Sequence, residues 1–306
     1  MIPRLSAFKT PAGIIGAALL ALLGLIGWRG STVLLRRRTP DPPDSPANYG
    51  LDYDTVSFTS RDGILLRGWW IRPPQPKGMT LVICHGHNGS MDGDTAQAAR
   101  LAKAGFHVLL FNFRTHGTSG GEQVTFGARE HLDVLGALDW LAATQGIRRA
   151  GLVGFSMGAG VALIAAAHDE RVAAVVADGT ICRLRDAITG LARERGLPAW
   201  VARPPAAAIL LAASLRARTW LPWADPIRWA AEVRCPVLFI HGEADPFVTM
   251  EGARMLAQAA GTAAKLWIVP GAGHRDAYLH SPTAYYERVI AFLERYLAAG
   301  PQSGAG

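Results

Sequence analysis

AGLVGFSMGAGVALIAAAHDE, residues 150–170, reads as an apolar strand, a tight turn and a helix in immediate succession. Its centre is Gly154-Phe155-Ser156-Met157-Gly158, a G-x-S-x-G pattern. A strand running into a helix through such a turn leaves the serine hydroxyl exposed on strained backbone. Small residues on both sides let strand and helix approach one another. The same pattern recurs at Gly117-Thr118-Ser119-Gly120-Gly121. With 34 glycines in the chain, about 0.1 chance matches are expected, so context decides between the two. Gly120, Gly121 and Gln123-Val124-Thr125 start no helix, which makes Ser119 a turn hydroxyl. The plain alternative for Ser156 is a helix N-cap.

A serine hydroxyl is a poor nucleophile until a base takes its proton. In enzymes built on such an elbow the order along the chain is Ser, acid, His. Downstream, VLFIHGEADPFV places Asp245 just past an apolar strand, and LWIVPGAGHRDAY places His274 just past the next. Both fall at the carboxyl ends of adjacent strands, where a parallel sheet gathers its site. His274 is the expected base and Asp245 the group that orients it. Glu243 and Asp178 are the rival acids. A developing oxyanion needs backbone N–H donors. Met157, next after the nucleophile, is one candidate. The other is His87, in TLVICHGHNGS, where Gly86 lets the backbone turn closely. His85-x-His87 also invites a metal reading. The H-x-H-x-D-H pattern, however, has Gly89 where it needs Asp, so no metal and no cofactor are expected.

Eight strand-like runs are visible from residue 54 onward: DTVSFTS, ILLRGWWIR, TLVIC, HVLLFNF, AGLVGF, VAAVVAD, PVLFIHG and KLWIVP. Asp62-Gly63 marks a hairpin between the first two. Helical patterns lie at 93–105, 128–145, 157–168, 249–260 and 281–298. The later strands are aliphatic throughout, as in a sheet covered on both faces. Alternating strands and helices mean an α/β protein. About fifty apolar, Trp-bearing residues between VAAVVAD and PVLFIHG break the rhythm and read as a helical cap over 181–232.

The chain has 306 residues, 50% of them hydrophobic and 18% charged, ample for one large core. Its net charge of +7 is uneven. Arg4, Lys9, Arg29, Arg36, Arg37 and Arg38 all lie in residues 1–40, which hold no acid. The remainder carries 25 basic residues against 24 acidic ones. A nucleic-acid role needs a basic face on the domain and is disfavoured. Cys84, Cys182 and Cys235 form no close pair and read as buried free thiols, which mildly favours a reducing compartment.

Thr10 to Trp28 contains no charged residue. Nineteen residues rise about 28 Å as a helix, close to the bilayer's hydrocarbon thickness. Trp28 suits the interface and Arg36–Arg38 the anionic headgroups. The expectation is an uncleaved single-pass anchor within 1–38 that contacts membrane lipid through residues 10–28. A cleaved signal peptide is the competitor, but cleavage after Gly27 would put Leu25 at −3. A soluble packing helix is the third reading. Basic residues slightly favour a cytoplasmic domain. TPDPPDSPAN follows at 39–48, so residues 39–50 are expected as a stiff spacer holding a 51–298 domain off the membrane, with a flexible tail at 299–306.

With these motifs assembled, the chain resembles the α/β-hydrolase superfamily from about residue 52 to 298, and within it the bacterial serine aminopeptidase-like and lysophospholipase-like hydrolases. The matching residues are HGHNGS at 85–90, FRTHGTSGGE at 113–122, GFSMGAG at 154–160, CPVLFIHGEADPFV at 235–248 and PGAGHRDAY at 270–278. Relatives often carry an acid and Arg-Gly-His-Gly at the second motif. Here Asn112 and Phe113-Arg114-Thr115-His116-Gly117 stand there, in a segment that is structural in such proteins. The resemblance implies an α/β-hydrolase fold, a mostly parallel central sheet with helices on both faces; the residues themselves add the helical cap insertion and, ahead of the domain, the transmembrane helix. It implies a Ser156–Asp245–His274 triad acting on small-molecule carboxylic esters. The cap and anchor favour lipid-like acyl chains. A peptidase or amidase with the same triad is the alternative, and an inactive membrane-tethered binding protein the third reading. Oligomeric state is not fixed by the sequence.

Overall fold

The computed structural model describes residues 10–298. Arg4, Lys9 and the tail expected at 299–306 lie outside the described residues. The eight expected strands form one sheet: β1 (Tyr53–Thr59), β2 (Leu65–Ile71), β3 (Met79–Cys84), β4 (Phe106–Asn112), β5 (Ala150–Phe155), β6 (Val172–Asp178), β7 (Val237–Gly242) and β8 (Ala264–Val269). Their spatial order is β1-β2-β4-β3-β5-β6-β7-β8. β1 and β2 form the expected hairpin, and β2 also runs antiparallel to β4. All remaining pairings are parallel. This is the α/β-hydrolase fold.

Burial follows strand position. β3, β5, β6 and β7 are buried at every residue, whereas the edge strands β1 and β8 are only partly covered. Alternate side chains feed two cores, as the two-residue period of a strand requires. Val82, Cys84, Leu152, Val175 and Ala177 pack beneath α3 (Glu130–Gln145) and α4 (Met157–His168). Leu81, Ile83, Val153, Phe155 and Val176 meet α2 (Thr95–Lys103) and α9 (Pro282–Leu297) on the other face. After β3 the chain builds β4 to one side, then crosses back to place β5 on the other. A crevice therefore opens at the carboxyl ends of β3 and β5. Two further helices complete the scaffold, α7 (Met250–Ala259) and the single turn α8 (Ala277–His280).

Between β6 and β7 the chain leaves the sheet for α5 (Leu184–Glu194), α6 (Ala199–Ala217) and a run of short turns. α6 buries Ala202, Ala206, Leu210, Ala213 and Ala217, a helical stripe facing the domain. Its flank packs along α1 (Pro11–Leu35), the most extensive contact between any two elements of the fold. α1 starts at Thr10, whose hydroxyl accepts the Gly13 N–H at 3.1 Å. Its end docks on α6 because glycine allows it. A Cβ at Gly27 would lie 2.8 Å from the Ala208 carbonyl oxygen, and one at Gly30 would lie 2.5 Å from the Ile209 side chain. Arg216 of α6 donates to the hydroxyls of Ser31 at 2.8 Å and Thr32 at 2.6 Å, and its guanidinium sits 4.4 Å from the Trp28 ring centroid.

Residues 39–50, expected as a stiff spacer, are hydrogen-bonded to the domain. Asp41 and Ser90 exchange two hydrogen bonds, with Ser90 N–H donating to Asp41 Oδ2 at 2.7 Å and Asp41 N–H to Ser90 Oγ at 3.1 Å. Pro46–Tyr49 forms a 3-10 turn whose Tyr49 hydroxyl donates to Asp44 at 2.8 Å. The prolines make the segment stiff, and polar groups then fasten it to the loop after β3.

The Phe113–Glu122 motif surrounds a buried ion pair. The Arg114 guanidinium binds Asp133 of α3 at 2.7 Å and Asp62 of the hairpin turn at 2.6 Å, while the Arg114 N–H donates to Asp133 at 2.9 Å. Arg114 is 3% exposed and Asp133 0%, so neither charge has water to fall back on. Arg114→Met should therefore destabilise the fold by about 3–5 kcal/mol in urea unfolding. A loss within about 1 kcal/mol would show that the pair is not a buried charge couple.

Candidate active site

Ser156 sits between β5 and α4 with φ 52° and ψ −113°, a region that non-glycine residues avoid. The turn is held from both sides. A Cβ at Gly154 would fall 2.5 Å from Ala159 Cα, and one at Gly158 would fall 2.0 Å from the Cys84 carbonyl oxygen. Neither glycine can therefore be replaced without moving backbone. The Ser156 N–H is fixed by the Asp178 carbonyl at 2.8 Å.

Ser156 Oγ lies 2.8 Å from His274 Nε2, and His274 Nδ1 lies 2.7 Å from Asp245 Oδ2. A carboxylate only accepts, so His274 carries its proton on Nδ1 and Nε2 accepts from the serine. Asp245 Oδ1 accepts the N–H groups of Phe247 at 2.8 Å and Val248 at 2.9 Å, which pins the carboxylate behind the imidazole. The loops after β7 and β8 lie back to back. A Cβ at Gly242 would meet the Gly273 carbonyl oxygen at 2.1 Å. The Phe247 ring stands edge-on to His274 at 5.2 Å. The arrangement can carry a proton from Ser156 to His274 while Asp245 steadies the resulting cation.

The rivals are placed elsewhere. Asp178 accepts the Tyr285 hydroxyl at 2.8 Å, and burial pushes its carboxyl up to about 6. Glu243 caps the Gly271 N–H at 3.2 Å. Ser119 donates to the Asn112 carbonyl at 2.7 Å and accepts the Arg67 N–H at 3.0 Å, which makes it a bracing group of its turn.

Met157 opens α4, so its N–H is among the amides that a helix leaves unpaired. On the loop after β3, the His87 carbonyl accepts His116 Nε2–H at 2.9 Å, and its ring lies 4.3 Å from the Phe126 ring. His85 is wholly buried. Its Nδ1–H donates to the Gly86 carbonyl at 2.7 Å and its Nε2 accepts the Phe113 N–H at 3.0 Å. Burial holds His85 well below the ordinary histidine range, and backbone partners occupy both nitrogens. Gly86 presses on a neighbour the sequence did not point to. A Cβ there would lie 2.6 Å from Arg275 Nη1, and that guanidinium pairs with buried Asp94 and covers the Phe155 ring at 4.9 Å.

Arg37 and Arg38 were also not legible as site residues. The sequence places them at lipid headgroups, yet both bind the protein, Arg37 from an exposed position and Arg38 from a buried one. Arg37 donates to the carbonyls of Gly117 at 3.2 Å, Ser119 at 3.0 Å and Gly121 at 3.0 Å. Arg38 is 8% exposed and contacts His87 Nε2. Burial, reinforced by that guanidinium, holds the His87 imidazole well below its ordinary range, so the ring stays neutral. A basic triplet after an apolar helix gives no cue for these attachments.

Beside Ser156 is a small apolar recess of about 20 Å³, lined by Phe126, Met157, Ile181, Leu184, Leu221 and neighbouring residues. Ile181, Leu184 and Leu221 come from the insertion after β6.

Residues 80–206 match the family described as alpha/beta hydrolase fold, and residues 221–299 the family described as TAP-like protein. Among solved structures, the esterase Pf2001 of Pyrococcus furiosus superposes with a TM-score of 0.70 at 26% identity, covering 86% of this chain and 99% of its own. The protein YqkD of Bacillus subtilis is 27% identical over 76% of each chain. The alpha/beta hydrolase domain-containing protein WAV2 of Arabidopsis thaliana is 27% identical over 83% of this chain and 82% of its own.

The strain at Ser156 has a measurable consequence. Ser156→Gly and Ser156→Ala lose the same hydroxyl, but only alanine keeps the Cβ that the turn disfavours. The glycine variant should melt higher than the alanine variant by roughly 1 kcal/mol or more in stability. Equal melting temperatures would mean that the turn stores no strain.

Proposed function

The chain belongs to the α/β-hydrolase superfamily, and from that premise we propose that it is a membrane-anchored serine hydrolase that cleaves carboxylic esters through an acyl-enzyme on Ser156. The continuous hydrogen-bond path from Asp245 through His274 to Ser156, at 2.7 and 2.8 Å, carries this function. Ser156 Oγ attacks the ester carbonyl carbon as its proton passes to His274 Nε2. The carbonyl oxygen becomes an oxyanion, facing the N–H groups of Met157 and His87. Collapse of that intermediate breaks the bond to the alcohol oxygen, which takes the proton from His274. Water then gives its proton to His274 and attacks the acyl carbon, releasing the acid and restoring the serine.

Three observations favour esters. The recess beside Ser156 is apolar and has no acidic side chain among its lining residues, so nothing there would receive a peptide's amino terminus. The Pyrococcus neighbour is named an esterase. α1 is long and apolar enough to cross a bilayer, which supports anchorage and lipid-like substrates.

A fluorophosphonate probe tests the nucleophile. Labelling should vanish in Ser156→Ala and persist in Ser119→Ala, and the reverse pattern would sink the assignment. Asp245→Asn should lower kcat on a p-nitrophenyl ester by about 10⁴, while Asp178→Asn should cost far less. An aminoacyl amide offered in parallel should turn over poorly. Efficient amide cleavage with feeble ester cleavage would replace the esterase reading with the peptidase one.

A further inference from the structure

α6 has three sides. One faces the domain and one faces α1, as described above. The third carries Trp200, Leu211 and Leu215, at 74%, 53% and 71% exposure. Residues eleven and fifteen positions apart return to nearly the same face of a helix, so these three form one outward stripe. Leu191 and Leu197, on the chain leading into α6, are exposed as well. A soluble surface rarely leaves so many large apolar groups together without an occupant.

α1 indicates what that occupant is. Contacts progress in the same direction along both helices: Gly27 meets Ala208, and Ser31 and Thr32 meet Arg216. α6 therefore runs alongside α1, and its first turn lies toward the amino-terminal side of Gly27. At about 1.5 Å per residue, Ala199 lies some 13 Å beyond Ala208 in that direction. That is the direction in which α1 is charge-free, from Thr10 to Trp28. Charge agrees. Residues 181–220 hold seven arginines (183, 185, 193, 195, 203, 216 and 218) and only two acids, Asp186 and Glu194, as suits an anionic lipid surface.

We propose that the tip of the insertion, from Leu197 through the first turns of α6, is embedded in the same leaflet that α1 enters. The catalytic serine is thereby presented to amphiphilic esters at the bilayer surface. Ile181, Leu184 and Leu221, at the two ends of the same insertion, line the small recess beside the serine, so the embedded tip and the site share one structural unit. This inference rests on α1 being a membrane anchor and deepens the ester reading.

The test uses the full chain reconstituted in phosphatidylcholine–phosphatidylglycerol vesicles. One exposed cysteine per variant, from Leu20→Cys, Trp200→Cys or Glu287→Cys in a Cys235→Ser background that keeps the buried Cys84 and Cys182, carries an environment-sensitive nitrobenzoxadiazole label. Position 287 lies on α9, across the sheet from α3 and α4. Doxyl-labelled lipids should quench the labels at 20 and 200 but not at 287. Quenching at 20 with none at 200 would overturn the inference and leave the anchor standing. No quenching at either position would remove the anchor and the inference with it. In a second arm, Trp200→Glu/Leu211→Glu should lower turnover of a long-chain ester dispersed in vesicles at least about tenfold. Turnover of soluble p-nitrophenyl acetate should hold. Equal rates on the vesicle ester would also refute the proposal. If wild-type protein neither hydrolyses the acetate nor takes up the fluorophosphonate, the hydrolase reading fails, while the quenching arm still decides the embedding.

Discussion

A serine forced into left-handed backbone at the end of β5 is the constraint around which the rest is arranged. Nothing in the residue itself favours that conformation, whose cost is of the order of 1–3 kcal/mol. It persists because the surrounding backbone leaves no alternative. Gly154 and Gly158 bring β5, α4 and the loop after β3 to within distances that any side chain would forbid. The Ser156 amide is clamped to β6 through the Asp178 carbonyl. Those contacts require α4 to be buried from Met157 to Ala166, and hence the run of alanine and glycine along it. They also bring three loops, after β3, β7 and β8, to one end of the sheet. His274 and Asp245 reach Ser156 for the same reason that the core is dense there.

Most of this is legible in the amino-acid sequence alone. Strand and helix positions followed from apolar runs in VAAVVAD or PVLFIHG, which no surface segment would tolerate. Local patterns also carry the serine elbow and the order in which acid and histidine follow. Asp245 could be preferred over Asp178 because each follows a strand but only Asp245 lies on the strand next before His274. The structure gives a second reason, since Asp178 is already engaged by Tyr285.

What escaped the sequence depends on contacts between distant segments. Arg37 and Arg38 sit in a basic triplet whose local context is a membrane flank. Only the approach of residues 114–121, some eighty positions away, supplies the carbonyls that Arg37 satisfies. The prolines of 39–48 signal stiffness correctly but not the fastening of Asp41 to Ser90. Likewise Gly27 and Gly30 look like ordinary members of an apolar helix until α6 is laid against them. Arg275 follows His274 directly in sequence, but its partner Asp94, at the start of α2, is some 180 positions away.

The fastening of residues 35–41 changes how the molecule would move. The Leu35 carbonyl accepts the Val124 N–H at 3.0 Å, and Arg37, Arg38 and Asp41 follow with their own attachments. A tethered enzyme usually swings on its leash and samples a hemisphere of solution. Here the joint is welded at several points, so a domain carried by α1 would rotate and drift only as the helix does. Its site would stay at one height above the lipid midplane. The search for substrate would then be confined to two dimensions, with encounter rates set by lateral diffusion and surface density rather than by bulk concentration.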